Sequence, residues 1–143
     1  MSLSNEERQI LVTLELKKAR ETYDEIGILI SANRLNGAAN RMYYAVFHAV
    51  CALLINDGIQ VNTHRASHAL FSQHYIKTGI LPKDYGQLYN QLQTMREESD
   101  YNCAYDVEMD ELQQRLEPAR QLLDDIERMV AKSPKENSKN SNT

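Results

Sequence analysis

Apolar residues recur every three or four positions along most of this chain, a period that belongs to α-helices rather than strands. Between Ser4 and Ala32, Leu11, Leu14, Tyr23, Ile26 and Ile30 mark a first helix, with Ser4 as its cap and Glu6 and Glu7 at the positive end of its dipole. Asn36-Gly37 is the expected turn into a second helix, apolar on most of its circumference from Asn40 to Leu54 and ending near Asn56-Asp57-Gly58. Thr63 is the expected cap of a shorter third helix, His64 to Lys77, closed by Thr78-Gly79. Leu81-Pro82-Lys83-Asp84 opens a fourth, whose stripe of Tyr85, Leu88, Tyr89, Leu92 and Met95 reads as core. The fifth is expected from about Asp106 to Val130, with Pro118 kinking or dividing it. No segment alternates apolar and polar residues with β-branched enrichment. The pattern therefore predicts an all-α, up-and-down bundle of four or five helices, one domain over 1–131, followed by a disordered polar tail over 132–143.

The second helix contains an anomaly. Arg41 and His48 are seven positions apart, so at about 100° per residue they project the same way, roughly 10 Å apart along the axis. Tyr44 lies one turn before His48 on the adjacent stripe, and Tyr43, Phe47, Val50 and Leu54 are expected on the opposite side. A charged group on so apolar a helix persists only if it is paired, wet or used. Guanidinium holds phosphate through a fork of donors and imidazole exchanges protons near neutral pH, so the set suits phosphodiester chemistry or anion binding. The structural alternative is an arginine satisfied near the helix start and an interior histidine with a local partner.

Composition narrows the class. With 143 residues, 42% apolar and 25% charged, the chain is a globular domain. No run is expected to reach the eighteen or so apolar residues of a membrane span, and the first residues lack a signal peptide's basic and apolar regions, so a cytoplasmic location away from membranes is expected. Cys51 and Cys103 form no CxxC pair, which supports neither a disulfide framework nor a zinc ribbon. A net charge of −4 argues against a polyanionic partner, but the charge is uneven. Between residues 36 and 80, Asp57 is the one acid against Arg41, Arg65 and Lys77, and all four histidines fall there. Anion binding belongs to that middle segment, unless it is short of carboxylates merely because it is buried.

Three further constellations stand out. In Thr63-His64-Arg65 with His68, the two histidines are one helical turn apart, but the inner glutamate of a metalloprotease helix and an acidic third ligand are missing, so an anion site fits better than a metal. Arg96, Asp100 and Tyr101 end the fourth helix, where Arg96 and Asp100 have the spacing of an ordinary surface ion pair. The acidic run Asp106, Glu108, Asp110 and Glu111 complements a helix dipole and implies no acid–base pair.

Taken in order, Tyr43-Tyr44-Ala45-Val46-Phe47-His48-Ala49, Thr63-His64-Arg65, His74-Tyr75-Ile76-Lys77-Thr78-Gly79 and Arg96 with Ser99-Asp100-Tyr101 give a chain that resembles the small bacterial and archaeal branch of the HEPN superfamily. The similarity spans roughly residues 12 to 131. The resemblance implies a helical bundle, often dimeric, and a small nucleotidyltransferase as partner in a toxin–antitoxin pair. It also implies metal-independent cleavage of RNA, without a cofactor, by an arginine and a later histidine with four to six residues between them. Arg41 and His48 meet that spacing as the catalytic pair, although the family's motif usually lies on a later helix and has a polar residue where this chain has Met42. The later helix offers Arg96, but Tyr101 stands where the histidine is expected. Tyr44, His64, Arg65, His68, Arg96, Asp100 and Tyr101 are the expected binding residues for RNA or a nucleotide. The alternative is a non-catalytic interaction or substrate-binding partner of a nucleotidyltransferase.

Overall fold

The computed structural model describes residues 3–133, which form five α-helices and, among those residues, no strand. They are α1 (Asn5–Ser31), α2 (Leu35–Asn56), α3 (His64–Phe71), α4 (Lys83–Tyr101) and α5 (Met109–Lys132). The all-α bundle expected from the apolar period is present. The expected polar tail lies, from Pro134 onward, outside the described residues.

Ser4 caps α1 as its position suggests: its hydroxyl accepts from the Glu7 amide at 3.1 Å, and the Glu7 carboxylate accepts from the Ser4 amide at 2.9 Å. The chain then reverses three residues earlier than expected. Asn33 takes the left-handed conformation, φ 58°, which asparagine tolerates better than most residues, and Asn36 and Gly37 already lie inside α2. Asn36 serves the packing instead. Its amide donates to the Tyr105 carbonyl at 3.2 Å and its carbonyl accepts from the Val107 amide at 2.9 Å, which fastens the α4–α5 connection to the start of α2.

α2 is the central helix, touching α1, α3, α4 and α5. Ala38, Ala39, Ala45, Ala49 and Ala52 are wholly buried, and their small side chains let neighbouring helices approach from several directions. Contrary to expectation, this helix is long and apolar enough to cross a membrane by length and composition, with a mean hydropathy of 1.3 over its best window. The bundle already covers 67% of that window, which accounts for its apolar character. Tyr43, Tyr89, Phe71, Met42 and Leu53 fill the core, where shortening a buried leucine to alanine costs about 2–5 kcal/mol.

The third helix departs from expectation after Phe71, where the α-helix widens into a single π turn, Ser72–Ile76. That turn seats Tyr75 in the core, with its hydroxyl donating to Asp57 at 2.5 Å and so tying the turn to the end of α2. At the other end the Thr63 cap is in place, its hydroxyl accepting from the Ala66 amide at 3.0 Å. α5 starts at Met109, not near Asp106, because Glu108 and Glu111 form a capping box there. It continues through Pro118 without dividing. α5 is held to α1 by Arg20, which reaches both Asp124 and Glu127, the latter at 2.8 Å.

Candidate functional site

The Arg41 stripe of α2 lies beside the end of α4 and beside α1, from Glu15 to Glu25, and its centre is Tyr44. The guanidinium carbons of Arg41 and Arg96 lie 5.4 and 5.8 Å from the Tyr44 ring centroid, within range of cation–π attraction. Arg41, one-third exposed, donates to Asn40 Oδ1 through Nε (3.1 Å) and Nη2 (2.7 Å), and pairs with Glu25 at 3.3 Å. The Asn40 amide in turn reaches the Asp100 carboxylate at 3.2 Å.

Arg96 corrects the reading of a surface ion pair. The Asp100 contact exists, at 3.7 Å, but the arginine side chain is only 11% exposed. Its guanidinium lies over Tyr43 at 4.9 Å and Tyr101 at 5.9 Å, and its Nε is buried without a hydrogen-bond acceptor. Burial opposes its charge, and the surrounding tyrosines outweigh that and hold its pKa above the usual arginine value. A nearly buried cation with an unused donor, at the edge of an aromatic cluster, is suited to meeting an anion.

His48 and His64 complete the cluster. His48 donates through Nδ1 to the Glu15 carboxylate of α1 at 2.7 Å, and about one-fifth of its side chain is exposed. His64, the first residue of α3, stacks on Phe47 with ring centroids 4.2 Å apart, meets Tyr44 edge-on, and has Nδ1 3.3 Å from the Tyr43 hydroxyl. Burial lowers the pKa of His64, and the positive charges of Arg96 and His48 lower it further. Phe47 therefore does not belong to a separate opposite face as expected, since it touches both imidazoles, 5.3 Å from His48. The cause is its length: an aromatic ring reaches round to the neighbouring stripe.

Two expected binding residues lie apart. Arg65 is exposed and makes none of these contacts. His68 meets Tyr89 edge-on at 5.0 Å, and burial lowers its pKa. The two histidines one turn apart thus sit in different aromatic surroundings, and among the described residues no group of three or more potential ligands is placed to hold a metal. Tyr101 lies at the outer edge, 78% exposed.

Sequence reasoning missed Glu15, Glu25, Asn40 and the role of Tyr43. Only Asn40 carried a local hint, as a polar neighbour of Arg41. Glu15 and Glu25 reach the site from another helix and had none. Beside the cluster, between α1, α2 and the 57–63 loop, lies a cleft of about 570 Å³ whose walls include Glu15, Phe47, Cys51, Val61 and His64. Two cations, two imidazoles and exposed aromatic edges can bind a phosphate, stack a base and exchange a proton.

Comparison with known proteins places the chain in a family. The chain is 32% identical over 124 residues to a "UPF0332 protein" of Thermotoga maritima, covering 87% of this chain and 94% of that one. Two proteins of Methanocaldococcus jannaschii, named "Putative toxin MJ0142" and "Putative toxin MJ0605", are 25% and 27% identical over 96 residues. Those matches cover 67% of this chain and 65% and 69% of the relatives. A family model described as the HEPN domain matches residues 12–130, nearly the whole described bundle, and the chain is therefore a member of the HEPN family.

Proposed function

We propose that this HEPN protein binds single-stranded RNA at the Tyr44 cluster and cleaves it as a toxin-like, metal-independent endoribonuclease in the cytoplasm. The observation that carries the reading is the convergence of Arg41 and Arg96 on one tyrosine ring, beside imidazoles that are each engaged through Nδ1. The guanidiniums neutralise the scissile phosphate and the charge that grows on its oxygens as a 2′-hydroxyl attacks. His48, oriented by Glu15, exchanges a proton during the attack. Tyr44 and Phe47 supply ring faces and edges against which bases stack. The resemblance adds a homodimer and a nucleotidyltransferase-type partner, and the words "putative toxin" in two relatives' names suit a toxin–antitoxin pairing.

One observation favours a non-catalytic binding module instead: Glu25 and Asp100 already pair with the two guanidiniums. In that reading the protein holds RNA or nucleotide for a nucleotidyltransferase. A single assay separates the two. Incubated with labelled single-stranded RNA in EDTA, the parent should produce fragments ending in 2′,3′-cyclic phosphate, and His48→Ala should not. Salt-sensitive binding with no cleavage by the parent would leave the binding module.

A further inference from the structure

The cleft of about 570 Å³ and the cationic cluster share three residues, since Glu15, Phe47 and His64 line the one and belong to the other. A ligand seated in either is therefore within reach of both. Away from that shared edge the cleft is walled mainly by apolar side chains: Leu11 on α1, Cys51 and Ile55 on α2, and Ile59 and Val61 on the loop. Leu11 is exposed and Ile59 and Val61 are half-buried, so apolar surface meets water there. The two charged residues of the wall are engaged, Arg8 donating to Asn5 at 3.3 Å and Glu15 accepting from His48 at 2.7 Å. At the rim Gln60 donates to Asn62 at 3.3 Å, which leaves the Gln60 carbonyl oxygen and the Asn62 amide hydrogens facing outward on exposed residues. Apolar and aromatic walls with a few polar groups, at this volume, suit a small organic ligand.

The shape of that ligand follows from the shared edge. Phe47 and His64 are stacked, 4.2 Å between centroids and 19° between planes, and both line the cleft. Tyr44 meets the same two rings edge-on, at 6.0 and 5.5 Å, and it is the ring that the Arg41 and Arg96 guanidiniums approach. A stacked aromatic pair thus stands between an apolar slot and two positive charges. A molecule that joins a flat, neutral ring to an anion through a short link fits both sides, and a nucleotide has that form.

We propose that the cleft between α1, α2 and the 57–63 loop is a nucleobase subsite, in which a base stacks on the Phe47–His64 pair while its phosphate meets Arg41 and Arg96. The proposal rests on the reading that the cluster takes RNA, and adds where the base goes. The rim amides offer both a donor and an acceptor, and every base presents both, so all four enter. Discrimination then comes from apolar contact: a purine covers more of the walls and the stacked pair than a pyrimidine does, and binds more tightly. Val61 and Ile59 set the width of the slot from the loop side.

Three probes test it by calorimetric titration of the full chain at low salt: adenosine 3′-monophosphate, uridine 3′-monophosphate and ribose 3-phosphate, which has no base. Adenosine 3′-monophosphate should bind about 10-fold or more tighter than ribose 3-phosphate, with the uridine compound between them. Val61→Trp fills the slot, and should bring both nucleotides to the affinity of ribose 3-phosphate while leaving that affinity as in the parent. If Val61→Trp does not fold, photolabelling of the parent with 8-azidoadenosine 3′-monophosphate takes its place, and the label should fall on Leu11 or within residues 47–63. Equal affinity for the three probes, no binding of any, an adenosine preference that survives in Val61→Trp, or a label elsewhere overturns the subsite. RNA cleavage in EDTA by a parent without base preference leaves the ribonuclease reading standing without the cleft. Base preference in a parent that cleaves no RNA upholds the cleft and removes the ribonuclease reading.

Discussion

Glu15 of α1 and His48 of α2 stand 33 positions apart in the chain and 2.7 Å apart in the fold, the carboxylate accepting from Nδ1 of the imidazole. The bond takes one ring nitrogen out of use and leaves the other available to a ligand, as an orienting carboxylate does in many histidine-based sites.

Changing Glu15 to glutamine keeps the size and removes the charge. We expect RNA cleavage to fall by roughly 10-fold or more in kcat with KM nearly constant, because orientation and charge matter most in the transition state. Thermal stability should hardly move, since the pair is partly exposed. Steady-state kinetics that match the parent would remove Glu15 from the site.

Arg96 and Arg65 make a contrast in placement. Arg96 lies almost buried in the tyrosine cluster, while Arg65 is exposed and outside it. Arg96→Ala should weaken binding of single-stranded RNA and reduce its salt slope by about 1, and should destabilise the fold by about 1–2 kcal/mol through lost cation–π contact. Arg65→Ala should change neither. Fluorescence anisotropy across a salt series, with urea melts alongside, reads both quantities.

Tyr89→Phe deletes one hydroxyl from the buried Ser67–Tyr89 hydrogen bond and leaves Ser67 with the His64 carbonyl alone. The expected cost is about 0.5–1.5 kcal/mol, the net contribution of one ordinary hydrogen bond. A double change, Ser67→Ala with Tyr89→Phe, should recover part of it, which equilibrium urea unfolding measures.

The clamp between α1 and α5 carries a pH signature. Arg20 holds the Asp124 carboxyl below its ordinary pKa, so the stabilisation is fully present above the usual aspartate range and drains away as pH falls through the depressed value. In Arg20→Met the melting temperature should therefore lie below the parent's at pH 7, with the gap narrowing as the solution is acidified toward the foot of that range. A gap independent of pH would mean that packing, not charge, joins the two helices.

The two thiols should react at very different rates. Burial pushes the Cys51 thiol up to about 12, whereas Cys103 is exposed at the end of α4. Titration of the native protein with a thiol reagent should show one fast cysteine, and unfolding should release the second. Cys103→Ser should abolish the fast phase.

Much of the bundle was written in the order of residues. The 3.6-residue apolar period, the Ser4 and Thr63 caps and the apolar circumference of α2 are local properties, and local backbone energetics honours them in the fold. Arg41, His48 and Tyr44 were legible for the same reason, because a helix of known pitch fixes which side chains share a stripe. Element ends were less so. The reversal at Asn33 and the π turn after Phe71 answer to partners far along the chain, Tyr105 and Val107 for Asn36 and Asp57 for Tyr75.

What the order of residues could not supply is which helices meet. Glu15 reaches His48 from α1, Arg96 reaches Tyr43 and Tyr44 from α4, and His64 finds Phe47 only when α3 docks on α2. His64 and His68, equivalent by spacing, go separate ways for the same reason: one helix face there meets two different neighbours. The chain alone determined a helical bundle with a polar stripe on its central helix. Packing between distant segments decided which groups around that stripe are charged, anchored or in reach of a ligand, because those properties depend on neighbours that pitch and periodicity do not encode.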